Sequence, residues 1–284
     1  MNTRQFNQLP KAYKAFPKLF KTLVLKKQTK SKTLPDVEYV VESLKIDQSQ
    51  LNQYKEICDF AQDDTVPSIF LGVLSQSLQM HMMAYEAFPF PVLGLVHIRN
   101  QIKQHRVVKT NEILTLSCRF GELKPHDKGM QFDFITTVKV GNQVVVESLT
   151  TYLSRQKVSS SAPKNKAESK ALELNLSQVW KVPENIGRRY AAISGDFNFI
   201  HLHKATAKAF GFKQAIAHGM WTKAKALAHI ELPAAYEVEV EFKLPVFLPS
   251  SVEFLQLKQG DVTQFLIRSQ KTAVPHVAGS IKAL

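Results

Sequence analysis

Apolar residues recur along this chain in two regimes, helical spacing and strand alternation, and the same succession of regimes occurs twice. Ile69 to about Tyr85 is almost continuously apolar, is opened by Pro67-Ser68 and is closed by Pro89 and Pro91, which predicts a buried helix. Alternating, β-branched segments follow at Gly94–Arg99, Glu112–Phe120, Met130–Val140 and Gln143–Leu153. Gly141-Asn142 reads as the hairpin turn between the last two. In the second half, a strand at Leu172–Val182 and short helices at Glu184 to about Ile193 and about Lys204–Phe210 precede a helix at His218–Ile230. Its Ala224, Ala226 and Ala228 are small enough to lie close against a sheet. Extended segments at Tyr236–Leu244, Ser251–Lys258, Thr263–Gln270 and His276–Lys282 complete the half. A helix followed by four strands, twice, is an internal duplication of plan with little visible identity. A helix against an antiparallel sheet makes the fold class α+β.

The pattern divides the chain into a first unit at 36–155, a polar linker rich in Ser and Lys at 156–172, and a second unit at 173–284. Charge separates a further piece. Residues 1–35 hold nine Lys or Arg and no Asp or Glu, so nine of the thirteen net positive charges belong to a basic N-terminal arm. Tyr13, Phe16, Phe20 and Leu23 fall on one helical face of that arm, although Pro17 interrupts it. Three readings stay open for the arm: a helix or tail packed on the body with solvated lysines, contact with an anionic membrane surface, or contact with an acidic carrier protein. Its single arginine and lack of a recognition motif argue against nucleic acid. Hydrophobic residues at 44% supply a sizeable core. Two cysteines, Cys58 and Cys118, have no metal-ligand spacing and suggest a reducing, cytoplasmic compartment. No secretory signal is expected at the N-terminus, and no apolar run reaches the roughly 18–20 residues of a membrane span.

The candidate chemistry is concentrated in Tyr190–Met220. Asp196 and His201 lie five residues apart, with Asn198 between them and apolar Phe197, Phe199, Ile200 and Leu202 around them. A charge in such a setting is costly to bury unless it is paired or used. His218-Gly219-Met220 opens the second central helix, where a glycine presents bare backbone N–H groups to a ligand. His201 and His203 form an H-x-H pair, but two ligands with no third are a weak zinc signal, so no metal is expected. His203 reads as a helix-start residue, and His97 of the first unit as packing.

These residues carry a family resemblance. S-G-D-F-N-F-I-H at 194–201, A-x-x-x-G-F at 207–212, I-A-H-G-M at 216–220 and F-K-L-P-V-F-L-P-S at 242–250 together resemble the signature of MaoC-like (R)-specific enoyl-thioester hydratases and dehydratases. The first unit, with L-G-L-V-H-I-R-N at 93–100 and no acid–His motif, looks like the degenerate partner half of a double-hotdog chain. The resemblance implies two antiparallel sheets, each wrapped around a long central helix, paired as a pseudo-dimer in one chain. It implies an acyl thioester substrate on coenzyme A or acyl carrier protein, with no metal or organic cofactor, and a monomer or homodimer of double hotdogs.

The resemblance further implies that Asp196 and His201 are catalytic and hold one water from two sides. Gly219 N–H would stabilise the thioester oxygen, with Asn198 and His218 among the substrate-binding or loop-holding residues. The first unit would complete the sheet and shape an acyl tunnel without catalysing. Arg99, Lys103 and Arg106 are candidates for the carrier's phosphates. Phe199 stands where the family usually has proline, which bears on substrate fit more than on chemistry. Thioester hydrolysis and non-catalytic acyl-thioester binding are the competing functions.

Overall fold

In the computed structural model, residues 2–15, 33–92, 94–156 and 173–284 are described. Their strands are β1 (Asn2–Phe6), β2 (Val37–Leu44), β3 (Thr65–Val66), β4 (Leu95–Gln104), β5 (Val108–Lys109), β6 (Leu114–His126), β7 (Gly129–Val140) and β8 (Gln143–Arg155) in the first half. The second half contributes β9 (Asn175–Val182), β10 (Tyr236–Phe242), β11 (Ser250–Gln259), β12 (Val262–Ser269) and β13 (Pro275–Ala283). The helices are α1 (Gln48–Cys58), α2 (Ser68–Met83), α3 (Ile186–Ser194), α4 (Lys204–Ala209) and α5 (Gly219–Ala228).

Eleven strands form one sheet in the order β1-β2-β6-β7-β8-β4-β10-β13-β12-β11-β9. Read outward from the middle, β4-β8-β7-β6-β2 on one side mirrors β10-β13-β12-β11-β9 on the other. In each half the strand after the central helix lies innermost, and the long strand that opens the half, β2 or β9, lies near the rim. The duplicated plan is therefore a duplicated topology, and the two expected sheets are joined edge to edge. The seam is the antiparallel pair β4–β10, running from Arg99↔Glu241 to Gln104↔Tyr236.

The central helix α2 is apolar on nearly every side because the sheet curls around it. Ile69, Phe70, Leu71, Val73, Leu74, Leu78, Met82 and Met83 are all buried. Inward-facing Phe120, Phe132 and Phe134 of β6 and β7 pack with one another and with Phe88 and Phe90 at 4.8–6.4 Å between ring centroids. Burying five such rings is worth several kcal/mol in area and adds edge-to-face and stacked contacts. In the second half α5 is shorter and richer in alanine, and Ala224 and Ala226 are fully buried.

Three features differ from the pattern read along the sequence. The first residues of the chain are not a tail: β1 pairs in parallel with β2, from Asn2↔Val37 to Phe6↔Val41, and caps one rim of the sheet. Residues 16–32, which carry most of the arm's lysines and its helical apolar face, lie outside the described residues, as do 157–172 of the linker. Helix α1 and strand β2 were not legible in the pattern. Helix α1 shows its core-facing side through only Leu51, Tyr54, Ile57 and Cys58, with Lys55 also buried. Among the described residues no helix is long and apolar enough to cross a membrane, and both cysteines are buried and unpaired.

A buried polar peg crosses the seam. Lys223 of α5 is fully buried. Its Nζ donates to Asn100 Oδ1 at 2.6 Å, and Asn100 Nδ2 in turn donates to Thr150 Oγ1 at 3.1 Å. Desolvation holds the Lys223 pKa well below its ordinary 10.5. At pH near 10.5, where the lysine is largely neutral whether folded or unfolded, Lys223→Met leaves Asn100 Oδ1 without its donor and should cost about 1–3 kcal/mol in urea unfolding. The unfolded lysine takes up a proton that the folded one refuses. Stability should therefore fall as pH drops below about 10.5 toward the folded value, and the substitution should flatten that slope.

Candidate active site

The site is built where α3 stops. Gly195 caps α3 in the left-handed region (φ 77°), its N–H bonded to Ala191 O at 2.9 Å, and this turn sends Asp196 into the interior. Asn198 then starts a 3-10 turn at Phe199–His201, its Oδ1 accepting from Ile200 N, while its own N–H donates to Asp196 Oδ1 at 3.2 Å. His203 accepts from Ala205 N at 3.2 Å and caps α4, the helix-start role read from the sequence. The 3-10 turn lies hard against α3: a Cβ on Gly187 would sit 1.9 Å from His201 O. Only glycine allows this approach, and it fixes where the His201 ring points.

Asp196, His201, Asn198, His218 and Gly219 all line one cavity of about 440 Å³. One donor atom each of Asp196, His201 and His218 lies within 4.8 Å of the others. His201 Nδ1 is 2.8 Å from Ile216 O, an acceptor only, so Nδ1 carries the hydrogen and Nε2 keeps its lone pair. His218 Nε2 donates to Asp196 O at 3.0 Å, and its ring stacks on His201 at 3.7 Å between centroids and 27° between planes. Tyr190 packs on the other side of His218 at 4.9 Å. His218 is thus first a brace that fixes both the Asp196 backbone and the His201 ring.

Charge states follow from these contacts. Burial lowers the His201 pKa below 6.5, only partly offset by Asp196 and the bond to Ile216 O. Burial also drives His218 down to about 3, with His201 lowering it further. Both imidazoles are neutral at pH 7. Burial alone would raise Asp196, but the positive charges that His218 and His201 take up in acid, with the Gln76 side chain and the Asn198 N–H, more than offset it, and the carboxyl titrates below 3.8. The site at rest is one carboxylate with 21% of its side chain open, lining the cavity, beside one neutral imidazole presenting a lone pair.

Gly219 begins α5, and the N–H groups of that first turn have no intrahelical partner. A Cβ at Gly219 would approach the Phe242 ring to 2.8 Å, so glycine lets Phe242 pack directly on the helix start. The cavity wall opposite comes from the first half: Gly72, Val73, Gln76 and Gln79 of α2 and His97 of β4. His97 does pack, with Tyr152 at 5.1 Å and Phe242 at 4.7 Å, but it also faces the cavity, and burial lowers its pKa to about 4. Gln76 and Gln79 were missed because a glutamine in an apolar helix carries no motif. Of the phosphate candidates, Arg106 is forked onto Glu112 at 2.7 and 2.9 Å and Arg99 lies 3.7 Å from Glu239, while Lys103 does not line the cavity. The cations on the cavity wall are Arg155 and Lys243 instead.

The MaoC-like domain model matches residues 161–279. The 3-hydroxyacyl-thioester dehydratase X of Mycobacterium tuberculosis is 33% identical over 255 residues, 88% of this chain and 91% of that protein. The chain belongs to the MaoC-like dehydratase family. Its fold agrees with the crystal structure of HtdX from Mycobacterium tuberculosis at TM-score 0.77 and 29% identity, over 87% of this chain and all of that one. A MaoC-like dehydratase from Phytophthora capsici shares the fold alone, at 16% identity and TM-score 0.69 over 92% of this chain and 97% of that one. The hotdog architecture and the hydro-lyase class of this MaoC-like dehydratase rest on these relatives.

Gly187→Ala should push the 3-10 turn off α3. The expected result is a folded protein with at least about 100-fold lower turnover, since an error near 1 Å in a reacting group costs that much. Circular dichroism and a turnover assay on the same preparation check it.

Proposed function

We propose that this chain reversibly hydrates trans-2-enoyl thioesters to (R)-3-hydroxyacyl thioesters, with Asp196 and His201 as the catalytic pair. The supporting observation is their separation. An ionised carboxylate and a neutral imidazole face one cavity with donor atoms no more than 4.8 Å apart. A single water donating to two acceptors at about 2.8 Å each holds them roughly 4.4 Å apart. The water oxygen attacks C3 while one of the pair takes its proton. The C2=C3 electrons move toward the thioester oxygen, which the Gly219 N–H and the start of α5 stabilise. The same proton then reaches C2, and the enolate collapses to the 3-hydroxyacyl thioester with both side chains restored. Asn198 and His218 hold the two catalytic groups at the substrate-binding wall.

Water suits the three donor atoms better than a metal ion. Nearly parallel imidazoles 3.7 Å apart do not let one ion lie in both ring planes at about 2.1 Å from each nitrogen. The proposed chemistry uses no cofactor beyond the substrate's own carrier, coenzyme A or acyl carrier protein. Arg155 and Lys243 are both exposed, Lys243 beside Glu241, and both are suited to its phosphates. Two buried, unpaired cysteines suit a cytoplasmic enzyme.

Crotonyl-CoA separates the readings. Hydration removes the enoyl-thioester absorbance without releasing thiol, whereas hydrolysis releases thiol and a binding protein does neither. Asp196→Asn and His201→Ala should each lower kcat by about 10²–10⁴-fold. Full turnover in Asp196→Asn would rule out the proposed pair.

A protonated His201 cannot accept from water, so kcat/KM should fall on the acid side. Because burial lowers the His201 pKa, the midpoint should lie below pH 6.5. A midpoint at or above 6.5 would contradict the neutral-imidazole state.

A further inference from the structure

The first half has no acid–imidazole pair of its own, yet its central helix reaches the one in the second half. Gln76 lies midway along α2, between Gly72 and Gln79, and all three face the cavity opposite Asp196. Around it α2 is apolar: Val73, Leu74, Leu78 and Met80 are buried, and Ser75 turns its hydroxyl back onto Gly72 O at 2.7 Å. Gln76 is instead half-buried, and it lines the same cavity as Asp196. We propose that Gln76 is a positioning residue for the reaction: its side-chain amide, supplied by the first half, donates to the Asp196 carboxylate across the cavity and keeps it aimed at the water it shares with His201. The inference rests on the hydratase reading for its consequence in turnover, but not for the contact itself.

The carboxylate needs this donor. Asp196 Oδ1 has the Asn198 N–H at 3.2 Å, and His218 Nε2 is 3.9 Å from Oδ2, with its hydrogen committed to Asp196 O. His201 offers a lone pair and no hydrogen toward the cavity, since Nδ1–H is held by Ile216 O. The other titratable groups that sense Asp196 are half-buried His97 and Tyr152 and buried Tyr190, all neutral at pH 7. No full positive charge stands against the carboxylate at neutral pH among these groups. Hydrogen bonds must supply what a cation would elsewhere, and a bond to a charged group is worth enough to change a rate by roughly 10–100-fold.

Two variants and two readouts test it. In Gln76→Leu the carboxylate loses the amide and keeps the Asn198 N–H. Carbon-detected NMR of the Asp196 carboxyl should show it titrating at higher pH than in the wild type, whether or not the protein turns over crotonyl-CoA. The hydration assay should show kcat at least about 10-fold lower with KM within about two-fold. Gln76→Glu should behave differently. Two carboxyl groups in contact share a proton, which restores a donor at low pH and is lost as pH rises. This variant should gain an alkaline limb that the wild type lacks. An unchanged Asp196 titration in Gln76→Leu overturns the proposal, as does a folded Gln76→Leu enzyme with wild-type kcat. A Gln76→Glu profile parallel to the wild type also overturns it. An Asp196 titration that shifts in a protein without hydratase activity would keep the contact and remove the hydratase reading.

Discussion

A carboxylate kept ionised inside a largely apolar cavity is the constraint on which the rest of this structure depends. Taking such a group out of water is expensive, and two neutral imidazoles cannot repay the cost with charge. The chain meets it with short, directional contacts. Gly195 turns the backbone so that Asp196 points inward, Asn198 offers its N–H, and His218 holds the Asp196 carbonyl. Gly187 brings α3 close enough to clamp the His201 turn. Each of these is a backbone-level device, so the geometry of the pair is set by the fold more than by the freedom of its own side chains.

The same economy explains why both imidazoles are neutral. Stacked at 3.7 Å in a buried wall, His201 and His218 could not both carry a charge, and burial disfavours even one. The division of labour follows. One ring gives its Nδ1 hydrogen to Ile216 and keeps a lone pair on Nε2, and the other gives its Nε2 hydrogen to the Asp196 backbone. A dehydratase that must both remove and return a proton is served by groups that start uncharged or hydrogen-bonded, so that little solvent has to reorganise.

Much of this was legible in the sequence, for identifiable reasons. Asp196, Asn198, His201 and Gly219 sit within one short stretch, and local spacing preserves local geometry. The central helices were visible because sheets that wrap them demand apolar residues all round. The β4–β10 seam left no trace of its own, because pairing between distant strands is decided by edges and not by composition. Strand β1 was hidden inside a basic segment whose charge suggested a tail. Gln76 and the inward face of His97 were illegible for the same reason as the seam. They act across about a hundred residues of chain, where no spacing rule connects them to Asp196.

The mirrored order of strands has a last consequence. In an assembly of two identical hotdog chains, any change to the wall of one cavity is imposed on its twin as well. Fusing the halves breaks that bond. Here α2 faces a site it does not duplicate, so Gly72, Val73 and Gln79 can drift to suit a longer, shorter or bulkier guest while α3 and α5 stay fixed. Selectivity and chemistry have become separately adjustable parts of one polypeptide.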